Sequence, residues 1–394
     1  MFRPRVIPSH SLRLWRDTRV LRVVGQAVFL AAVAAGAWWL LVNLQANLRS
    51  SGLNLSFRFL RHTAGFPISE GIRYSPTDSN GHAFWVGFVN TARIAAIGIV
   101  LATVVGVLVG VARLSANWLV RKLAALYVEA IRNIPLPVQL FFWYFAVILT
   151  GLPAASNSIR LPGAIYLSRR GLCMPWLIPT ASFATWRWFL VGGAVSAVVV
   201  YAFRRLQLKR IDRPGIPILW SVATLLLAGT VGWCITAGRP LALDVPVFER
   251  FNFEGGIWLS ASFLALLVGL TTYTGAFIAE IVRAGIQAVD RGQVEAAKAL
   301  GLRRRNLLRL VVLPQAMRVI LPPLGSQYLS LAKNSSLGIL IGYYDLLNVS
   351  TTIFNQTGRA VEMMLLIMGS YLSLSFLFSF TLNYYNRRMQ PVEK

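Results

Sequence analysis

The chain has 394 residues, of which 56% are apolar and only 13% charged. A soluble domain carries about a quarter charged residues, so a fully water-facing surface is excluded and much of this one must face lipid. The 39 Lys and Arg outnumber the 14 Asp and Glu, a net charge of +25; this excess fits the basic flanks of cytoplasmic loops and, in a chain so apolar, not a nucleic-acid partner.

Crossing about 30 Å of hydrocarbon takes about 20 mainly apolar residues. In chain order the predicted spans are 23–44, 84–113, 123–150, 188–203, 217–237, 257–282, 315–332 and 363–385, eight in all. The first follows 22 residues containing six Arg, which is long for a secretion signal, and is expected to be a retained anchor. Between the spans, 25 basic residues fall on one parity and 12 on the other. That bias predicts both termini in the cytoplasm.

Residues 151–187 are rich in Pro and Gly and do not span. The two spans after them could be removed without reversing anything downstream. The expected organisation is therefore an anchor helix with an extra-cytoplasmic stretch (1–83), a first core part (84–150), an insertion carrying two spans (151–256), a second core part (257–388) with a basic connection at 283–314, and a tail (389–394). The fold class is an all-α polytopic membrane protein, a five-helix core plus an N-terminal helix and an inserted helix pair.

Catalytic chemistry is hard to find. No Lys follows a Gly, so a P-loop cannot form. His10, His62 and His82 are isolated and predict no metal site, and no G-x-S-x-G elbow exists. Cys173 and Cys234 allow at most one disulfide. The chain is expected to be a non-enzymatic subunit holding no cofactor, with its energy entering through a partner. The place for such a partner is the basic connection. Gln293–Leu300 has the composition of a short helix, Gly301 sits where a left-handed C′ glycine would stop it, and Pro314 is placed to start the next span. A rigid knob is one reading; a solvated basic loop beside anionic headgroups is the other.

The spacing Glu295-Ala296-Ala297, three residues, Gly301, nine residues, Val311, one residue, Leu313-Pro314 resembles the EAA signature of permease subunits in ABC importers, with Val for Ile. Further segments are similar to polar amino-acid permeases of the histidine/glutamine type: Tyr127-Val-Glu129-Ala-Ile-Arg132-Asn133-Ile-Pro135, Ala279-Glu280-Ile-Val-Arg283-Ala-Gly285, Leu313-Pro314-Gln315-Ala316 and Leu331-Ala332-Lys333-Asn334-Ser335-Ser336. The long form looks like the larger permease of general L-amino-acid importers. The resemblance implies that Glu295, Ala296, Ala297, Gly301, Leu313 and Pro314 couple to an ATPase. It also implies two cytoplasmic ATP-binding subunits holding ATP and Mg2+, a second homologous permease in a heterodimer, a periplasmic amino-acid-binding protein, an L-amino-acid substrate and a bacterial inner-membrane location.

Some polar residues invite individual readings. Glu129 with Arg132 and Glu280 with Arg283 are three apart on one helix face; each pair is a boundary ion pair or a gate. Arg93 lies inside a span, where an unpaired charge is costly, so it bonds carbonyls or a substrate carboxylate. A zwitterion's path needs polar groups at depth, for which Thr271, Thr272, Tyr273, Asn334, Ser335 and Asn90 are candidates; each could equally join helices. An ion-gradient transporter and a non-transporting assembly subunit are the rival functions. The first would want acidic residues at span centres, and none is found there.

Overall fold

The computed structural model describes residues 18–50, 55–211, 215–236, 238–249 and 252–389. The expected basic flank ahead of Thr18 and the tail beyond Met389 lie outside these. Two units form: residues up to Phe59, dominated by helix α1 (Thr18–Ser50), and everything from Leu60 onward. The stretch 60–79 therefore folds with the second unit and not with the anchor.

Among the described residues seven helices are long and apolar enough to cross a membrane, or eight if one bent pair counts as a single span. The fold is thus the expected polytopic helical one, with details that differ. Helix α2 (Asn80–Ala112) starts at Ser79, whose side chain accepts the His82 N–H. The expected continuous span 123–150 is instead α3 (Trp118–Asn133) and α4 (Leu136–Phe141) running on as a π-helix to Thr150, bent by 107° at the break. The physical cause is Pro135, which pushes Ile134 into extended backbone (φ −99°, ψ 127°) and so ends α3. The Gln139 amide then donates to the Ile131 and Ile134 carbonyls (2.8 and 2.9 Å), satisfying the broken end.

The segment 151–256, expected to be an insertion, holds α5 (Phe183–Ile211) and α6 (Pro217–Ile235). They pack on each other through Gly193 against Ala228, with the Trp186 indole donating to the Gly229 carbonyl (2.9 Å). The stretch read as merely non-spanning contributes four short strands: β1 (Ile159–Leu161), β2 (Ile165–Ser168), β3 (Gly171–Met174) and β4 (Trp176–Pro179). After α6 come β5 (Leu241–Asp244), β6 (Val247–Glu249), β7 (Asn252–Glu254) and β8 (Ile257–Ser260). An antiparallel sheet runs β1-β2-β3-β8, with Cys173 opposite Trp258. Strand β3 thus meets β8, the strand just after residue 256, in one sheet, and β4 paired with β5 leads into the helix pair. Cys173 is buried, Cys234 is exposed, and both are free thiols.

Helix α7 (Ala261–Gln287) is the centre of the second unit. Residues 257–260, expected to be helical, are strand β8; Ser260 caps α7 by accepting the Phe263 N–H (3.1 Å). Phe263, Leu266, Leu270 and Ile278 of α7 are fully buried, and α2, α4 and the later helix α10 (Leu313–Asn334) contribute Ile94, Leu140 and Leu331 to the same core. Helices α2 and α7 run parallel and close together. A Cβ at Gly106 would lie 2.5 Å from the Ile278 side chain, so glycine is what allows this approach.

Past α7 come α8 (Arg291–Ala299), α9 (Arg304–Leu307) and a π-helical turn, Leu308–Val312, leading into α10. The span expected from residue 315 in fact runs without a break from Arg304 to Ile341. Pro314 sits inside it, and the wider π turn just before it is the local adjustment that a proline within a helix needs. The chain finishes with α11 (Leu346–Thr357) and α12 (Ala360–Met389). By contrast with α7, helices α1, α5 and α6 leave most of their apolar side chains exposed, and α12 about half of its described ones, as lipid-facing helices do.

Candidate functional site

The EAA residues fold into a knob at one end of α7. Asp290 accepts the Gln293 N–H (3.2 Å) to start α8. At the other end the Gly301 N–H donates to the Lys298 carbonyl (2.9 Å) and the Leu302 N–H to the Ala297 carbonyl (3.2 Å). Gly301 is left-handed (φ +72°). This is a Schellman stop, at the residue where the sequence places it. Ala297 is buried with Leu307 and Val312, against Val294, Leu302 and Val289. Glu295, Ala296 and Lys298 point outward, and Leu300 is 82% exposed at the tip. The signature therefore divides in two: Ala297 fastens α8 to the body, while Glu295, Ala296 and the Leu300–Gly301 turn are presented. Leu313 and Pro314 are exposed on the helix that supports the knob.

Just above the knob, the Glu280 carboxylate accepts hydrogen bonds from both Arg113 at the end of α2 and Arg283. Arg283 also donates to Gln287 (2.6 Å). The predicted pair Glu280–Arg283 thus forms and gains a third member from 167 residues away. The other predicted pair does not close: Glu129 is exposed, and the Arg132 guanidinium lies over the Phe277 ring of α7, 5.0 Å from its centroid. Helix α3 packs along α7 here, which places the Phe277 face beside Arg132, a favourable seat for a guanidinium.

The opposite end of α7 carries a buried polar cluster that the sequence does not announce. Arg93 donates to Glu70 (Nη2 to Oε2, 3.0 Å), and its guanidinium lies 4.6 Å from the Phe263 ring centroid. The other Glu70 oxygen accepts the Ser260 N–H (2.8 Å). The Asn90 amide donates to the Glu70 and Tyr344 carbonyls (3.2 and 2.9 Å), and the Tyr343 hydroxyl donates to the Asn90 carbonyl (3.2 Å). Glu70 lies on the loop before α2. Its partners are 23 and 190 residues away, and no spacing rule joins such positions. A signal was available only indirectly, in the need of Arg93 for an anion. Burial pushes the Glu70 carboxyl up to about 7, against the opposing pulls of Arg93 and the Ser260 N–H.

The other path candidates lie between the two ends. Thr271 is buried with its hydroxyl unpartnered. The Thr272 hydroxyl returns to the Val268 carbonyl (2.8 Å), while its own carbonyl accepts the Tyr127 hydroxyl (2.8 Å). Tyr273 is half-buried beside Phe277, ring centroids 5.0 Å apart. Ser335 is buried and donates to the Ala332 carbonyl (2.8 Å); Asn334 beside it, at the end of α10, is half-buried. No hydrogen bond among the described residues joins the 271–273 group to 334–335.

A core of helices around α7, with a rigid knob at one end and a polar closure at the other, is the frame of a membrane transport subunit. Residues 98–391 match the family described as binding-protein-dependent transport system inner membrane component, and the chain belongs to that family. It is 41% identical over 381 residues to the general L-amino acid transport system permease protein AapQ of Rhizobium johnstonii, covering 96% of this chain and 94% of the relative. It is 42% identical over 374 residues to the putative amino-acid ABC transporter permease protein YhdX of Escherichia coli, covering 94% of each. A third relative, the glutamate/glutamine/aspartate/asparagine transport system permease protein BztB of Rhodobacter capsulatus, is 38% identical over 415 residues, covering 96% of each.

Proposed function

We propose that this chain is the larger permease subunit of an ATP-driven importer that moves L-amino acids across a bacterial inner membrane. The observation that carries the reading is the EAA spacing folded as a capped, outward-facing knob, in a chain matching amino-acid permeases over nearly its whole length. The knob seats in cytoplasmic ATP-binding subunits, which bind and hydrolyse ATP with Mg2+. Their closure moves α8, and through Ala297 and Leu307 the lower ends of α7 and α10. A binding protein delivers substrate at the Glu70 end, and both termini lie in the cytoplasm. Thr271–Tyr273 and Asn334–Ser335 line the path. A second, homologous permease completes a heterodimer.

A crosslinking cysteine belongs at Ala296 or Leu300, since Ala297 is buried. The expected result is a crosslink to the ATPase together with uptake of L-amino acids that requires ATP and the binding protein. Uptake that persists without ATP and collapses with an ionophore would overturn the reading in favour of an ion-gradient transporter. Counting distinct membrane chains in the purified complex tests the heterodimer.

A further inference from the structure

Loop 63–79 is built to carry one side chain inward. Its base is closed by the Ala64 N–H to the Asp78 carbonyl (2.8 Å), the Gly65 N–H to the Pro76 carbonyl (2.9 Å) and the Thr63–Ser79 bridge. Its tip is exposed at Ser69, Gly71, Ile72 and Arg73, yet the Glu70 side chain between them is only 2% exposed. That carboxylate joins three elements: the loop, α2 through Arg93, and the N-cap of α7 through the Ser260 N–H. The Asn90 amide adds the Tyr344 carbonyl, in the turn before α11.

The closure is incomplete. Arg93 Nε and Asn90 Oδ1 are buried without a partner, and the carboxylate itself is desolvated. Opening the loop would give all three groups water. A buried ion pair whose members remain partly unsatisfied is a poor permanent rivet, and here one member sits on a loop with exposed flanks.

We propose that loop 63–79 is a movable latch, and that Glu70 is a positioning residue whose seating and release set the starts of α2 and α7 and the turn before α11 during transport. Its place in the transport cycle rests on the importer reading; the latch itself does not. The charged and titratable groups facing Glu70 are Arg93 from α2 and Tyr343 from the turn, with Asp345 beyond Tyr343; α7 presents the uncharged Ser260 and its N-terminus.

The direction of the pH effect follows from burial. Seated, the carboxyl titrates near 7; released into water it returns toward its ordinary 4.5. Seating therefore takes up a proton between those values. Acid seats the latch and neutral pH loosens it, by at most about tenfold per pH unit.

The loop tip lies against Val86 of α2, which is fully buried. The test places Val86→Cys in the full chain, in its complex in membrane vesicles with Cys234→Ser, and reads labelling by a membrane-impermeant maleimide. Thr77→Cys, on the exposed flank of the same loop, is the reference at each pH. The labelling ratio of Val86→Cys to Thr77→Cys is expected to rise about twentyfold from about pH 5.5 to about pH 7.5. Glu70→Gln, a neutral isostere, should hold it low and flat; Glu70→Ala should hold it high and flat. A flat ratio with Glu70 present, or an equal rise in Glu70→Gln, which would make Asp345 the titrating group, overturns the proposal. If Glu70→Ala does not assemble, the comparison with Glu70→Gln still decides. Labelling needs neither substrate nor ATP, so failure of the latch appears there, whereas failure of the importer reading appears in uptake alone.

Discussion

Substituting Gly301 asks whether the stop of α8 positions the knob for the coupling role proposed above. Nothing lies within 4 Å of a Cβ built on Gly301, so the penalty is conformational and not steric. An L-residue with a Cβ held in the left-handed region costs roughly 1–2 kcal/mol. A stiffer unfolded chain returns about 0.4–1 kcal/mol of that. Gly301→Ala therefore disfavours the turn by about 1 kcal/mol, close to a fivefold loss of correctly stopped α8. Asn, which tolerates this conformation, should cost less, and β-branched Val more. The assay is the yield of crosslink from a cysteine at Leu300 to the ATPase, with ATP-driven uptake measured alongside. Yields are expected to fall in the order Gly, Asn, Ala, Val. If Val matches Gly, the Schellman turn does not position the knob and the reasoning fails.

Three other perturbations separate the parts of the molecule. Leu300→Asp should leave folding within about 0.5 kcal/mol, because the side chain is exposed, while weakening ATPase attachment; equal attachment would remove the tip from the interface. Gly106→Val places a side chain inside ordinary carbon contact with Ile278 and should destabilise the α2–α7 seam by roughly 1–3 kcal/mol, seen as less complex surviving heating in detergent. Unchanged survival would mean that the helices do not meet there. Arg113→Ala should cost under about 1 kcal/mol, because Glu280 keeps Arg283 and the site is partly solvated. Glu280→Ala, which leaves two guanidiniums facing each other, should cost more than either arginine; the reverse order in thermal stability would refute the shared-anion arrangement.

The features legible in the sequence were short-range ones. The spans at α2, α6 and α12 follow from runs of apolar residues, and the end of α8 follows from one glycine at one spacing. Local rules give out where two of them compete at one place in the chain. The run 123–150 is apolar enough to cross, but Pro135 within it outweighs hydropathy and divides it into α3 and α4. Pro314 does stand at the start of α10, and the π turn at Leu308–Val312 joins that helix to α9 within one longer span. The residues 129–132 have the spacing of an ion pair; only the position of Phe277 on a neighbouring helix decides that Arg132 goes elsewhere.

By itself, then, the sequence determined that this chain lives in a membrane, which loops are basic, and where an exposed, glycine-stopped knob forms. Each of these depends on side chains a few residues apart and on their transfer free energies. Tertiary structure alone decided which charges meet. Arg93 of α2 finds Glu70 beside the N-cap of α7, and Arg113 at the end of α2 finds Glu280, because α2 and α7 run parallel in close contact; β3 pairs with β8 across the 151–256 segment. Such pairings are set by how helices pack through glycines such as Gly106. No pattern along the chain records that geometry.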